Sequence, residues 1–251
     1  MKLPIPTAAT LLALTLLAAT PAARAVVLYD AAAGTLPSAQ GWFTSSTAGA
    51  VAGSQSVAGG VLTIDSTGAG VVAFGNARFS PVALDATSGY AVDFSLKLLS
   101  ESHASANRAG FSLLLVASNP AQSVELSFWD NRVWVPSFDA ADPDRFVQGA
   151  GAAFDTTAAM TDYRLVVQGG GYSLSAGGQA LFSGTLQNYA AGGSPYNMAN
   201  VVFFGDNSSR SSAAVALGAV SVSAVPEPGT WALMLAGLGA VAGAGRFRRR
   251  A

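Results

Sequence analysis

The sequence predicts an all-β fold, a two-sheet antiparallel β-sandwich, and three observations lead there. Apolar residues recur with period two, and no segment of residues 26–224 keeps a helical period. The short runs are separated by Gly and small polar residues, which supply turns. At least eleven such runs fit into these 199 residues, which implies two packed sheets.

In chain order, the first 25 residues read as a secretory signal peptide. Met1 and Lys2 give a charged start, residues 8–20 a Leu- and Ala-rich stretch, and Ala23-Arg24-Ala25 a small-x-small site for signal peptidase, with cleavage before Val26. The stretch is too short for a membrane span and is followed at once by the strand-like Val26-Val27-Leu28-Tyr29. Residues 31–60, rich in Ala, Gly, Ser and Thr, are expected to form long surface loops. Strands are expected at 61–64, 71–74, 90–98, 110–117, 124–129, 132–135, 163–168, 171–176, 179–183, 201–205 and 214–223. The clearest is 90–98, where Tyr90, Val92, Phe94, Leu96 and Leu98 share one face while Asp93, Ser95 and Lys97 take the other.

Two hairpins have a legible register. Gly177-Gly178 can both adopt the positive φ of a type I′ turn, and Asp130-Asn131 can do the same because Asn and Asp tolerate the left-handed region. The second turn sets Trp129 opposite Arg132, Phe128 opposite Val133 and Ser127 opposite Trp134. Leu126, Phe128, Val133 and Val135 then form a core set, and Glu125, Ser127, Trp129, Arg132 and Trp134 fall on the other, wet face. Indole rings there must be covered by the protein's own loops or by a partner, and the face formed by Glu125, Trp129, Arg132 and Trp134 is a candidate platform for stacking sugar rings.

Composition narrows the function classes. Between residues 26 and 224 there are 13 Asp and Glu against 7 Lys and Arg, a net charge of −6, so nucleic acid is not expected as a partner. The chain has no cysteine, hence no disulfide, thiolate nucleophile or thiolate metal site. No catalytic constellation emerges. No strand carries two carboxylates at glycosidase spacing, His103 beside Glu101 has no Gly-x-Ser-x-Gly elbow to serve, and Gly169-Gly170-Gly171 joins strands instead of opening a helix. Asp139, Asp142 and Asp144 around Pro143 read as an exposed turn lacking the glycine and glutamate of an EF-hand loop, and Asp206 with nearby carbonyls would offer a rim cation site. No metal and no cofactor are assigned.

The chain ends in Pro226-Glu227-Pro228, then 17 uncharged residues from Gly229 to Gly245, then Arg246, Arg248, Arg249 and Arg250. Proline stops regular structure, the uncharged run falls slightly short of the ~20 residues a membrane-spanning helix needs, and the arginines would hold its end on the cytoplasmic side. With these three parts in order, residues 225–251 resemble the PEP-CTERM sorting signal of Gram-negative bacteria. A simple C-terminal anchor would carry the same helix and basic end. The resemblance implies exosortase as processing partner, a transient inner-membrane association, and delivery to the outer surface or extracellular matrix.

Residues 26–224, with the Tyr163-Arg164-Leu165-Val166-Val167 strand, the Gly-Gly hairpin beyond it and a final strand at 217–222, resemble a concanavalin or laminin-G type jelly roll. An immunoglobulin-like arrangement or a pair of smaller sandwiches would satisfy the same pattern. Such sandwiches host lectins, adhesion modules and glycosidases alike. The expectation is a non-catalytic module that binds glycan, with exopolysaccharide as partner by analogy to the family's hosts. The alternatives are a structural or adhesion protein without a small ligand, and a glycoside-active enzyme.

Overall fold

The computed structural model describes residues 25–47, 50–142 and 145–225. Its strands are β1 (Val26–Asp30), β2 (Phe43–Ser45), β3 (Ser54–Ala58), β4 (Val61–Asp65), β5 (Gly75–Phe79), β6 (Tyr90–His103), β7 (Phe111–Val116), β8 (Val124–Trp129), β9 (Arg132–Phe138), β10 (Phe146–Ala153), β11 (Thr161–Gln168), β12 (Gly171–Ala176), β13 (Gln179–Thr185), β14 (Val201–Gly205) and β15 (Ser211–Ala224). They form two antiparallel sheets. One runs β13-β12-β11-β6-β15-β4-β3, with β1 paired to β15 beside β4, and the other runs β10-β9-β8-β7-β14-β5-β2.

Alternation along each strand builds the core between the sheets. Phe94, Leu96 and Leu98 of β6 meet Phe111, Leu113 and Leu115 of β7, Leu126 and Phe128 of β8, and Val133 and Val135 of β9. Phe94 stacks on Tyr163 at 5.1 Å, and Phe128 stands edge-on to Tyr163 at 5.5 Å. Each fully buried side chain of this kind contributes roughly 1.5–3 kcal/mol, so the interface between sheets dominates stability.

Both expected hairpins form in the expected register, but Asp130 and Asn131 do not take the positive φ of the expected type I′ turn. Ser127 faces Trp134, Phe128 faces Val133 and Trp129 faces Arg132 across β8 and β9. Gly177 and Gly178 take φ of 55° and 78°, the left-handed pair that two-residue hairpins require. Three expectations fail in identifiable ways. The run 71–74 is no strand, because Ala73 turns to φ 50° and ends the extended run before β5 begins at Gly75. Residues 31–60 carry β2 and β3, edge-side strands whose Ser, Thr and Gln give little alternation. The strand β10 was not expected, since Gly149, Ala150, Gly151 and Ala152 have hardly any side chain to alternate. The signal-peptide and sorting-helix expectations fall on residues 1–24 and 226–251, outside the described residues. Among the described residues no helix is long and apolar enough to cross a membrane.

Candidate functional site

The outer face of the seven-stranded sheet is where sequence parity places Glu125, Ser127, Trp129, Arg132 and Trp134. It is not wet. Glu125 is 1% and Trp134 0% exposed, so the expected open sugar platform is corrected to a covered one. The segment between β13 and β14 lies over this face and builds a second apolar cluster. Tyr189 and Tyr196 from that segment pack with Leu114, Val116, Phe146, Val201 and Phe203. The Tyr189 hydroxyl donates to the Pro136 carbonyl at 2.6 Å.

Each predicted residue has a definite place in this cover. The Glu125 carboxylate accepts from the Tyr196 hydroxyl at 3.0 Å and from Asn207 Nδ2 at 2.9 Å, so both its oxygens are engaged. Trp129 donates its indole N–H to the Arg108 carbonyl at 2.9 Å and stacks on the His103 ring at 4.2 Å. Trp134 stands edge-on to Trp129 at 5.4 Å, and Arg132 is half-buried. His103 is held through Nδ1 by Glu101 at 2.9 Å, and burial pushes the Glu101 carboxyl up against the lowering pull of His103. Among the described residues no three His, Asp or Glu side chains converge as metal ligands.

Arg108 is the hub the sequence reading missed. It is 7% exposed, its Nη2 donates to the Asn207 carbonyl at 2.9 Å and to Asn207 Oδ1 at 2.8 Å, and its guanidinium lies 4.7 Å over the Phe146 ring. Burial works against its charge, while Glu125, Tyr196 and Asp206 favour it and win, leaving the guanidinium more firmly protonated than usual. Burial and the nearby Glu125 charge push the Tyr196 phenol well up, which keeps it a donor to Glu125. A buried cation so engaged by hydrogen bonds and a nearby carboxylate is tolerable; left alone it would be expensive.

Beside this cover lies a cavity of about 430 Å³, lined among others by Phe43, Arg108, Arg145, Tyr196, Asp206 and Arg210. Its volume falls in the range that holds small ligands. Arg145 and Arg210 are exposed, whereas Arg108 and Asp206 are buried. The Asp206 carboxyl accepts the Ser208 N–H at 2.8 Å through Oδ1, its Oδ2 has no partner, and burial raises its pKa to about 6. Phe43 is 47% exposed and pairs with Ala77 on the next strand. Phe79, two residues further along β5 and therefore on the same face, is 56% exposed. Phe43 thus stands open at the cavity and Phe79 further along the same sheet face, whereas Trp134 is buried and Trp129 half-buried.

The fold is similar to that of a conserved carbohydrate esterase from the Shiga toxin-encoding bacteriophage phi24B, with TM-score 0.58, 15% identity, and coverage of 80% of this chain and 99% of that one. A galectin-like protein of unknown function from Bacillus subtilis aligns with TM-score 0.48 and 12% identity over 80% of this chain and 97% of its own. The carbohydrate recognition domain of Emp46p in its metal-free form aligns with TM-score 0.49 and 8% identity over 78% and 95%. No curated protein matches the chain. Residues 224–250 match the PEP-CTERM protein-sorting motif, so the chain is an all-β sandwich carrying the address of an exported protein processed by exosortase.

Proposed function

We propose that this protein is a surface or extracellular-matrix module that binds polysaccharide without transforming it. The observation that carries the reading is the exposed ring of Phe43 lining a cavity rimmed with polar side chains, with the exposed Phe79 further along the same sheet face. Sugar rings offer apolar faces and hydroxylated edges, and an aromatic ring beside hydrogen-bonding groups satisfies both. Large apolar side chains left in water cost about 2 kcal/mol each relative to burial, which an aromatic platform recovers when a ligand covers it. Binding is favoured over hydrolysis by the supply of acids. Glycoside hydrolysis takes two carboxyl groups about 5 to 9.5 Å apart, whereas Asp206 is the one carboxylate among the described lining residues.

Affinity electrophoresis of the exported protein through gels containing polysaccharide tests the reading. Replacing Phe43 and Phe79 by Ala should abolish retardation while leaving the melting temperature nearly unchanged, since neither ring is buried. Retardation that survives both substitutions would place binding elsewhere.

A further inference from the structure

The cavity is set apart from the rest of the sandwich by its charge. The described residues of 26–224 carry seven cationic side chains and twelve carboxylates, yet three of the seven, Arg108, Arg145 and Arg210, and only Asp206 of the twelve, are among the described residues lining this one space. Elsewhere the domain's surface is dominated by carboxylates and repels an acidic polymer. Among the described lining residues the sign reverses. Arg145 and Arg210 are exposed and reach the mouth, while Arg108 sits behind them, buried and held by Asn207. The acidic turn carrying Asp139 and Asp142 adjoins Arg145 in sequence but does not line the cavity.

We propose that the cavity selects acidic polysaccharide, gripping the carboxylate of a uronic acid residue with Arg145 and Arg210 while Phe43 receives the face of a sugar ring. The proposal rests on the polysaccharide-binding reading above and adds the class of sugar. Guanidinium groups suit this task because their planar fork meets a carboxylate with two parallel hydrogen bonds, each stronger for being charge-assisted. The hydroxyl groups of Ser46, Thr47 and Ser209, which also line the space, are suited to the neutral edges of the sugar. Asp206 lies among these groups but is almost wholly buried, which removes it from the mouth where the ligand's charge would arrive.

The decisive comparison uses one polymer in two charge states. Exported protein is run through gels containing polygalacturonate or its fully methyl-esterified form, which keeps the backbone and removes the charge. Retardation should be at least tenfold stronger, read as an apparent Kd, with the free acid. The variant Arg145→Ala should lose tenfold or more with the free acid and keep its melting temperature, and Lys97→Ala, on the opposite sheet, should behave as wild type. Equal binding of the acid and its ester would overturn this inference and leave the polysaccharide reading standing. Failure to bind any polymer would remove both. Competition by DNA at equal charge concentration would show a general polyanion site and overturn the assignment to sugar.

Discussion

At the level of single residues, Asp206 makes the fold sensitive to pH. Burial raises its pKa from the ordinary 3.8 to about 6, outweighing the hydrogen bonds from Ser208 and Ser66 and the charge of Arg108, which pull it down. The native state therefore holds this proton more tightly than the unfolded chain. Its contribution to stability is fully present below about pH 4 and is lost as pH rises through about 6, a change on the order of 3 kcal/mol. Asp206→Asn keeps the shape and the acceptor for the Ser208 N–H but cannot ionise. Calorimetry at pH 4 and pH 8 should show the wild type losing stability relative to this variant across the interval; melting curves that stay parallel would rule the account out.

Among the elements, β10 shows how a strand with almost no side chains can decide what its neighbour does. Gly151 lies directly opposite Trp134, and a Cβ there would come 2.5 Å from the Trp134 Cβ and 2.5 Å from the Val133 carbonyl. The missing side chain leaves the place that Trp134 occupies. Gly151→Val should force strand and indole apart, lowering stability by about 1–3 kcal/mol in urea titration and shifting tryptophan emission to the red. Unchanged emission would mean that β10 yields without disturbing Trp134. The same strand explains where the sequence was readable. β6, β8, β9, β11 and β12 alternate large apolar with polar residues, so their faces and the β8–β9 register could be read directly. The glycines and alanines of β10 carry no such signal. At the site, parity correctly put Glu125 and Trp134 on one face away from the core, but Tyr196, which covers Glu125, lies 71 residues further along the chain. Nothing local to either residue announces that meeting. Arg108 was equally hidden, because its ring partner Phe146 and its hydrogen-bond partner Asn207 come from distant segments.

For the whole molecule, the pairing of β1 with β15 is the controlling feature. Val26 lies opposite Val222, so the points where residues 1–25 and the sorting motif join the sandwich are adjacent. Loop residues 206–210, which line the cavity, precede β15 at its other end, roughly 40 Å away along a 14-residue strand. If exosortase cuts near Pro226-Glu227-Pro228, protein released from a host that has the enzyme should end there, and intact-mass analysis should find no species outside the cell retaining Trp231 to Ala251. A released form of full length would sink that expectation. The same layout fixes how the domain meets mechanical load. If the chain is tethered at its C-terminal end, a polymer held in the cavity as proposed would pull from the opposite pole, and the tension would run along β15. That strand is bonded to β6 on one side and to β4 and β1 on the other, so its hydrogen bonds are loaded in shear, sharing the force instead of opening one after another. Pulling Val26 and Ala224 apart at their shared pole would peel β1 from β15 pair by pair at far lower force, which makes this sandwich strong along the direction in which its tether and its cargo would draw it.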